Sequence, residues 1–418
     1  MLYLAGVIII GAVYFIIKKY DSRMVLIVAG VLMALLAGKP SVAFDAFVAW
    51  AAHKSLVPIL CTVVGFTYVT AYTKCDEHFI NLMSGCASKG KHFLIPSAMI
   101  IAFIASLALP SAAGATAACG ALLVPLLTST GIHPIIAAAA IFGSTWGDIF
   151  SPGSSHNVLI AQLAKTDVMS VIYGHALVGL ICFACFIASI VAIAIFTGRY
   201  SGYKSELNEK IAVDKIKANP IKAVMPLLPI ILILLSSEQV GIIPYISVPQ
   251  AMIYGVILCL IVCRANPGDI TKEFFKGMGN AYTSIISILI AAGVFAAGMN
   301  AVGLTSSLIE AMKHTQSIAR LGATFGPFFV ALLSGSGIAG TMAFNTTITP
   351  HAADFGLGIS QVGSTAFLTG GFGRSMSPLA AAAIVAAGLA KTNPIEIIKV
   401  TAPGMIIVTL ITMGMLLY

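Results

Sequence analysis

The apolar positions of this chain fall in long runs separated by short polar gaps. Met24 to Gly38, Ser55 to Thr73, Val168 to Phe196 and Ser247 to Cys263 are near or above the ~17–25 residues with which a helix spans a bilayer. Two other runs are interrupted where a spanning helix should stay apolar. The stretch GSTWGDIFSPGSSHN at 143–157, carrying Asp148, breaks a run over 133–165, and TGGFGRSMSP at 369–378, carrying Arg374, breaks one over 356–391. Irregular backbone at membrane depth survives only where protein or a water-filled cavity satisfies it. Both breaks therefore point to an interior that wants them.

Taken in order, the pattern predicts helices over 2–17 and 24–38, an amphipathic piece SVAFDAFVAWAA, a helix over 55–73 and a second amphipathic segment over 78–88. The next run, 93–128, is too long for one spanning helix and too short for two. With SAAGAT at 111–116 in its middle, it reads as a re-entrant hairpin of two half-helices. The broken helix over 133–165 and a long helix over 168–197 follow, and a polar linker over 199–222 closes the first half. The second half repeats the plan: helices over 223–236 and 247–263, an amphipathic piece over 268–280, a helix over 282–299, another amphipathic piece over 303–314, a hairpin over 319–350, a broken helix over 356–391 and a last helix from 395.

The match extends to single residues. A shift of 226 positions lays Gly147 on Gly373, Ser151 on Ser377, Pro152 on Pro378 and LAKT at 163–166 on LAKT at 389–392; with a one-residue slip Ser111, Thr116 and Pro125 fall on Ser336, Thr341 and Pro350. Each half, 1–198 and 223–418, then holds five complete crossings plus a hairpin that returns to its own side. An odd number gives the halves opposite orientation, the inverted-repeat plan of secondary transporters. Charge agrees. With the N-terminus outside, seventeen of the 23 Lys and Arg fall on the inner side, five on the outer (Lys39, Lys54, Lys165, Lys313, Arg320), and Arg374 lies in the second break. That positive-inside bias puts both termini on the periplasmic side of a bacterial inner membrane.

Composition narrows the class. At 59% hydrophobic and 9% charged, against about 25% charged in soluble domains, the chain is expected to be an all-α polytopic membrane protein, and the lack of period-2 alternation disfavours a barrel. The net charge of +8 sits in short loops without a basic stripe, so it is topogenic and calls for no nucleic acid. The eight cysteines lie mostly inside apolar helices without His or acidic partners, which favours packing over metal binding.

The segments AAGVFAAGMNAVGLTSSLIEA at 291–311 and GFGRSMSPLAAAAIVAAGLAKTNPIEIIKVTAPG at 371–404 resemble the DcuC family of anaerobic C4-dicarboxylate carriers, within the ion transporter superfamily. In the first half, SLALPSAAGATAACGALLVPLL resembles it more loosely. The resemblance covers essentially the whole chain. It implies transport, by exchange, uptake or efflux, of succinate, fumarate and malate driven by a cation gradient, without a cofactor beyond the coupling ion. Other small organic anions, citrate or gluconate among them, are the second reading. Asp148, beside Trp146, departs from the pattern expected throughout the family.

A dicarboxylate carries two charges at neutral pH and needs donors and compensating charge in a low-dielectric barrier. Arg374, the basic residue placed at depth, offers a planar fork for a carboxylate; a fixed ion pair is the competing role. Asp148, one residue after Gly147 as Arg374 follows Gly373, suits a proton or sodium, or else pairs with Arg374. The hairpin tips and breaks add Ser111, Thr116, Ser336, Gly337, Thr341, Asn345, Ser151 and Ser377 as substrate-binding candidates. Gly114, Ser144, Thr145 and Ser334 join Asp148 as candidates for ion coupling. Half-helix N-termini suit an anion and unwound carbonyls a cation; helix–helix hydrogen bonding is the alternative for each hydroxyl. His133 and His175 read as packing or interfacial. An intramembrane hydrolase built on Asp148, Ser151 and His156 lacks a nucleophile elbow, so no enzyme is expected. The amphipathic segments at 42–52 and 268–280 fit either the bilayer interface or a homodimer contact.

Overall fold

The structure, a computed structural model, describes residues 2–18, 20–87, 93–109, 111–203, 218–313 and 316–418. It is an all-α polytopic membrane protein, with no strand among the described residues. A first series of helices comprises α1 (Leu2–Ile17), α2 (Ser22–Leu36), α3 (Ser41–Ala51), α4 (Leu56–Tyr72), α5 (Cys75–Ala87), α6 (Leu94–Ala108), α7 (Ala112–Ser129), α8 (Pro134–Gly143), α9 (Ser155–Ala164) and α10 (Val168–Phe196). The second comprises α11 (Pro220–Val224), α12 (Leu228–Leu235), α13 (Val248–Cys263), α14 (Pro267–Ala281), α15 (Ser287–Ala301), α16 (Leu304–Lys313), α17 (Gln316–Ser334), α18 (Gly337–Thr347), α19 (Ile359–Arg374), α20 (Ala381–Leu389) and α21 (Pro394–Leu416). Most of the linker expected over 199–222 lies outside the described residues, as do Lys89 and Lys91.

Local sequence sets where these helices start and stop. Asp21, Asp167, Asn219, Asn266 and Asn393 accept backbone N–H groups at the starts of α2, α10, α11, α14 and α21, the cap that frees a helix of its orphan donors. Proline opens α8, α11, α14 and α21, where it removes no helical bond. The starts of α2, α3, α9 and α10 recur 226 positions later as those of α13, α14, α20 and α21. In both copies of LAKT the lysine is left-handed, at φ +53° for Lys165 and +48° for Lys391, and ends the preceding helix.

Among the described residues, six helical stretches are long and apolar enough to cross a membrane: Ala112–Ser129, Pro134–Ala164, Val168–Phe196, Pro267–Ala301, Ser317–Ser334 and Pro394–Leu416. Three of them correct the expectation. The segments at 268–280 and 282–299 are not an amphipathic piece followed by a separate helix: α14 runs through a π-helical turn, Tyr282–Ile286, straight into α15. Their first-series counterparts, α3 and α4, meet at a 47° bend. The joint after α3 carries His53, Lys54 and Ser55 outside helix, whereas Gly277, Gly279 and Asn280 before Tyr282 stay inside α14. Nor are the hairpin arms uniform half-helices, since α7 has 18 residues and α17 has 19, each long enough to span.

Packing interleaves the two series. The last helices α10 and α21 lie together, α7 packs on α20, α4 on α14, and α2 and α3 on α15. The largest core gathers Phe103, Phe142, Trp146, Phe183 and Phe186 from the first series with Phe328 and Phe372 from the second. Glycine makes the closest approaches. A Cβ on Gly147 would sit 2.1 Å from the Phe103 carbonyl oxygen, and one on Gly373 2.1 Å from the Phe328 carbonyl oxygen, so each break is pressed onto the first arm of the hairpin in its own series.

Candidate functional site

One cavity of about 500 Å³ is lined by both hairpin tips and both helix breaks, within the ~300–1,000 Å³ of ligand pockets. Three helices point their first turns at it: α7 through Ser111, Ala112 and Ala113, α18 through Ser336, Gly337 and Ile338, and α20 through Ala380, Ala381 and Ala382. Elsewhere in the chain Asx side chains cap helix starts, but Ser336 and Ala380 make no side-chain cap to α18 or α20. Their first N–H groups are left for whatever occupies the cavity. At α7, Ser111 Oγ takes the Gly114 N–H at 3.2 Å. Each helix N-terminus favours a nearby anion by ~0.3–1 kcal/mol, more when partly buried.

The glycines of the second tip fix its position. Gly335 is left-handed (φ +75°) and lies so close to the Leu379–Ala380 backbone that a Cβ would meet it at 2.7 Å; Gly337 packs against Gly370 and Arg374. Arg374 ends α19, where a cation complements the helix dipole. Its Nη2 donates to the Thr145 carbonyl at 2.6 Å, tying the second break to the first. Asp148 lies in a single turn of 3-10 helix, Gly147–Phe150, between α8 and α9. It lines the same cavity as Arg374. Among the described residues the ion pairs lie elsewhere, as in Lys399–Glu396 and Lys276–Glu273, and none joins Asp148 to Arg374.

Three carbonyls of the first break accept side-chain donors. Thr145 O takes Arg374, Ile149 O takes Asn157 Nδ2 at 2.8 Å and His175 Nε2 at 2.9 Å, and Ser151 O takes Asn157 Nδ2 at 3.0 Å. Since a carbonyl only accepts, His175 Nε2 carries the proton, and its Nδ1 faces Ser364 Oγ at 3.0 Å. The Gly147 N–H goes to Ser106 Oγ at 2.8 Å. Buried polar groups are paired in this way because each orphan costs ~1–3 kcal/mol.

Of the sequence candidates, Arg374, Asp148, Thr145, Ser111, Ser336 and Gly337 line the cavity. The others do not. Ser377 Oγ accepts the Leu379 N–H, Ser144 Oγ donates to Ala140 O, Ser334 Oγ donates to Val330 O, and Thr341 Oγ1 lies 3.5 Å from Ala366 O. Asn345 sits between Gly363 O and Thr349 Oγ1. Ser151 meets Asn157 through its carbonyl and Gly114 meets Ser111 through its amide, while Thr116 Oγ1 is buried without a partner. Sequence reasoning missed Asn280 and Ser284, which line the cavity from the end of α14 and the π-helical turn. Their signal was a pair of polar residues four apart at the edge of an apolar run. His175, read as packing or interfacial, is fully buried and holds the backbone beside Asp148.

The sequence model of the DcuC family, described as C4-dicarboxylate anaerobic carrier, matches residues 56–418. The anaerobic C4-dicarboxylate transporter DcuC of Escherichia coli K12 is 26% identical over 97% of this chain and 95% of its own length. An uncharacterized transporter of Haemophilus influenzae is 37% identical over 63% of this chain and 98% of its own. Among solved structures, the Alcanivorax borkumensis YdaH transporter superposes with a TM-score of 0.61 at 13% identity, covering 90% of this chain and 86% of that one. At that identity the likeness speaks for the fold.

Proposed function

Because this chain belongs to the DcuC family of anaerobic C4-dicarboxylate carriers, and is thus a membrane transporter, we propose that it carries succinate, fumarate and malate by cation-coupled alternating access. The observation that carries this reading is the single cavity bounded by both tips and both breaks, with one guanidinium and one carboxylate on its wall and no ion pair between them. An anion entering it meets the Arg374 fork and the first turns of α18 and α20. Charge-assisted bonds of this kind are roughly twice as strong as neutral ones. Asp148 holds the coupling cation, proton or sodium. Thr145 O, Ile149 O and Ser151 O are already engaged, whereas the Asp148 carboxylate on the cavity wall and the unpartnered Asn157 Oδ1 beside it are oxygens open to a cation.

We read the two helix series as an inverted repeat with both termini periplasmic. The recurrence of helix starts, the paired left-handed lysines and the matched contacts of Gly147 and Gly373 support a duplication, and the distribution of Lys and Arg supports the orientation. On α3, Phe44, Phe47 and Val48 are exposed, a face that fits lipid or a second copy of the chain. The test of function is counterflow in proteoliposomes. Labelled succinate should accumulate against internal unlabelled fumarate, and separately imposed proton and sodium gradients identify the ion. Flux of citrate or gluconate with none of any C4-dicarboxylate would transfer the assignment to another organic anion.

A further inference from the structure

Away from the cavity, three thiols from the two helix series meet at one point. Cys75 is the first residue of α5, and Cys263 the last of α13. Their sulfurs lie 3.4 Å apart, and Cys259, one turn back on α13, also contacts Cys75. Cys75 and Cys259 are fully buried, while Cys263 is partly open. Each end of the pair abuts a left-handed corner: Lys74 (φ +58°) turns α4 into α5, and Arg264 (φ +49°) turns α13 towards α14. The three thiols do not form a metal-binding group, and none of them lines the transport cavity.

The geometry points to Cys75 and Cys263 as an oxidation site whose disulfide fastens the α4–α5 corner to the end of α13 and thereby slows transport. A disulfide needs its sulfurs about 2 Å apart, against 3.4 Å here. The oxidant is hydrogen peroxide. The Cys263 thiol, the more accessible of the two, gives up its proton as its sulfur attacks the peroxide oxygen and becomes a sulfenic acid; the leaving hydroxide takes that proton and departs as water. Cys75 resolves it. Its sulfur sits at a helix N-terminus, with the Thr73 hydroxyl 3.2 Å away, a setting that favours thiolate; it attacks the Cys263 sulfur and expels hydroxide, which leaves as a second water with the Cys75 proton. Both electrons of the new S–S bond are accounted for by reduction of the peroxide to two waters. The joint matters because α5 leads into the hairpin of α6 and α7, whose tip lines the cavity, and packs on both arms.

Reconstituted full-length protein treated with hydrogen peroxide, then alkylated and digested for mass spectrometry, provides the test. The mapping needs no substrate and so stands apart from the transport reading. A Cys75–Cys263 linked peptide is expected, together with loss of most of the uptake rate, and both should reverse with dithiothreitol. Cys75→Ser and Cys263→Ser should each keep their uptake under peroxide, whereas Cys259→Ser should behave as the unsubstituted protein. Absence of the linked peptide, a link to Cys259 instead, or a full link with unchanged uptake would each overturn the assignment.

Discussion

Arg374 serves the fold and the cavity at once, because Nη2 holds Thr145 O while the side chain forms part of the cavity wall. A lysine can reach a single carbonyl but cannot present two parallel donors to a carboxylate. Arg374→Lys should therefore raise the KM for succinate roughly 10- to 100-fold, the ~1.5–3 kcal/mol of a charge-assisted bond, in proteoliposome uptake; an unchanged KM removes the guanidinium from the binding site. Asp148→Asn keeps the shape and loses the charge. It is expected to spare substrate exchange and abolish gradient-driven accumulation, so that retained accumulation sinks the coupling role. Since no ion pair joins the two residues, the double substitution should not restore what each single one loses. Recovery of transport in the double substitution would instead reveal a mutual pair.

At the scale of elements, the breaks are built by close approach as much as by polarity. Gly147 and Gly373 each bring a helix break onto a backbone carbonyl that cannot move aside as a side-chain end can. Gly373→Ala should cost ~1–3 kcal/mol of overpacking, read as a lowered unfolding temperature in detergent; a variant as stable as the parent would mean that α17 shifts freely. His175→Phe fills the space but drops the bonds to Ile149 O and Ser364 Oγ. Its loss should be ~1–3 kcal/mol of stability, with reduced transport at saturating substrate because the turn bearing Asp148 loosens. The π-helical turn is an element that the pattern did not reveal. Apolar periodicity locates α14 and α15 but is nearly blind to one extra residue within a helix that never breaks.

For the whole molecule, the two helix series predict a sidedness. On the proposed inverted repeat, and from the Lys and Arg distribution of the loops, a periplasm-dependent reporter such as alkaline phosphatase should be active when fused after Tyr418, and a fluorescent protein that matures only in the cytoplasm should stay dark. The opposite pair of outcomes would refute the orientation. Interleaved packing, with α10 on α21 and α7 on α20, means that neither series forms its cavity wall alone.

Sequence by itself determined most of the segments that are helical and apolar, where Asp, Asn and Pro start them, which stretches repeat after 226 positions, and that Asp148 and Arg374 follow matched glycines in interrupted runs. Those are local or periodic properties, set by backbone propensity and by the length of an apolar run. Only the tertiary structure decided which polar groups remain free. Ser336 and Ser377 are alike as letters, yet one stands at a tip lining the cavity and the other is spent on the Leu379 N–H. Asn280 and Ser284 join the site from a helix the breaks gave no reason to include. Thr145 O for Arg374 and Ser364 Oγ for His175 are partners brought in from remote parts of the chain, and a buried group takes the nearest one available.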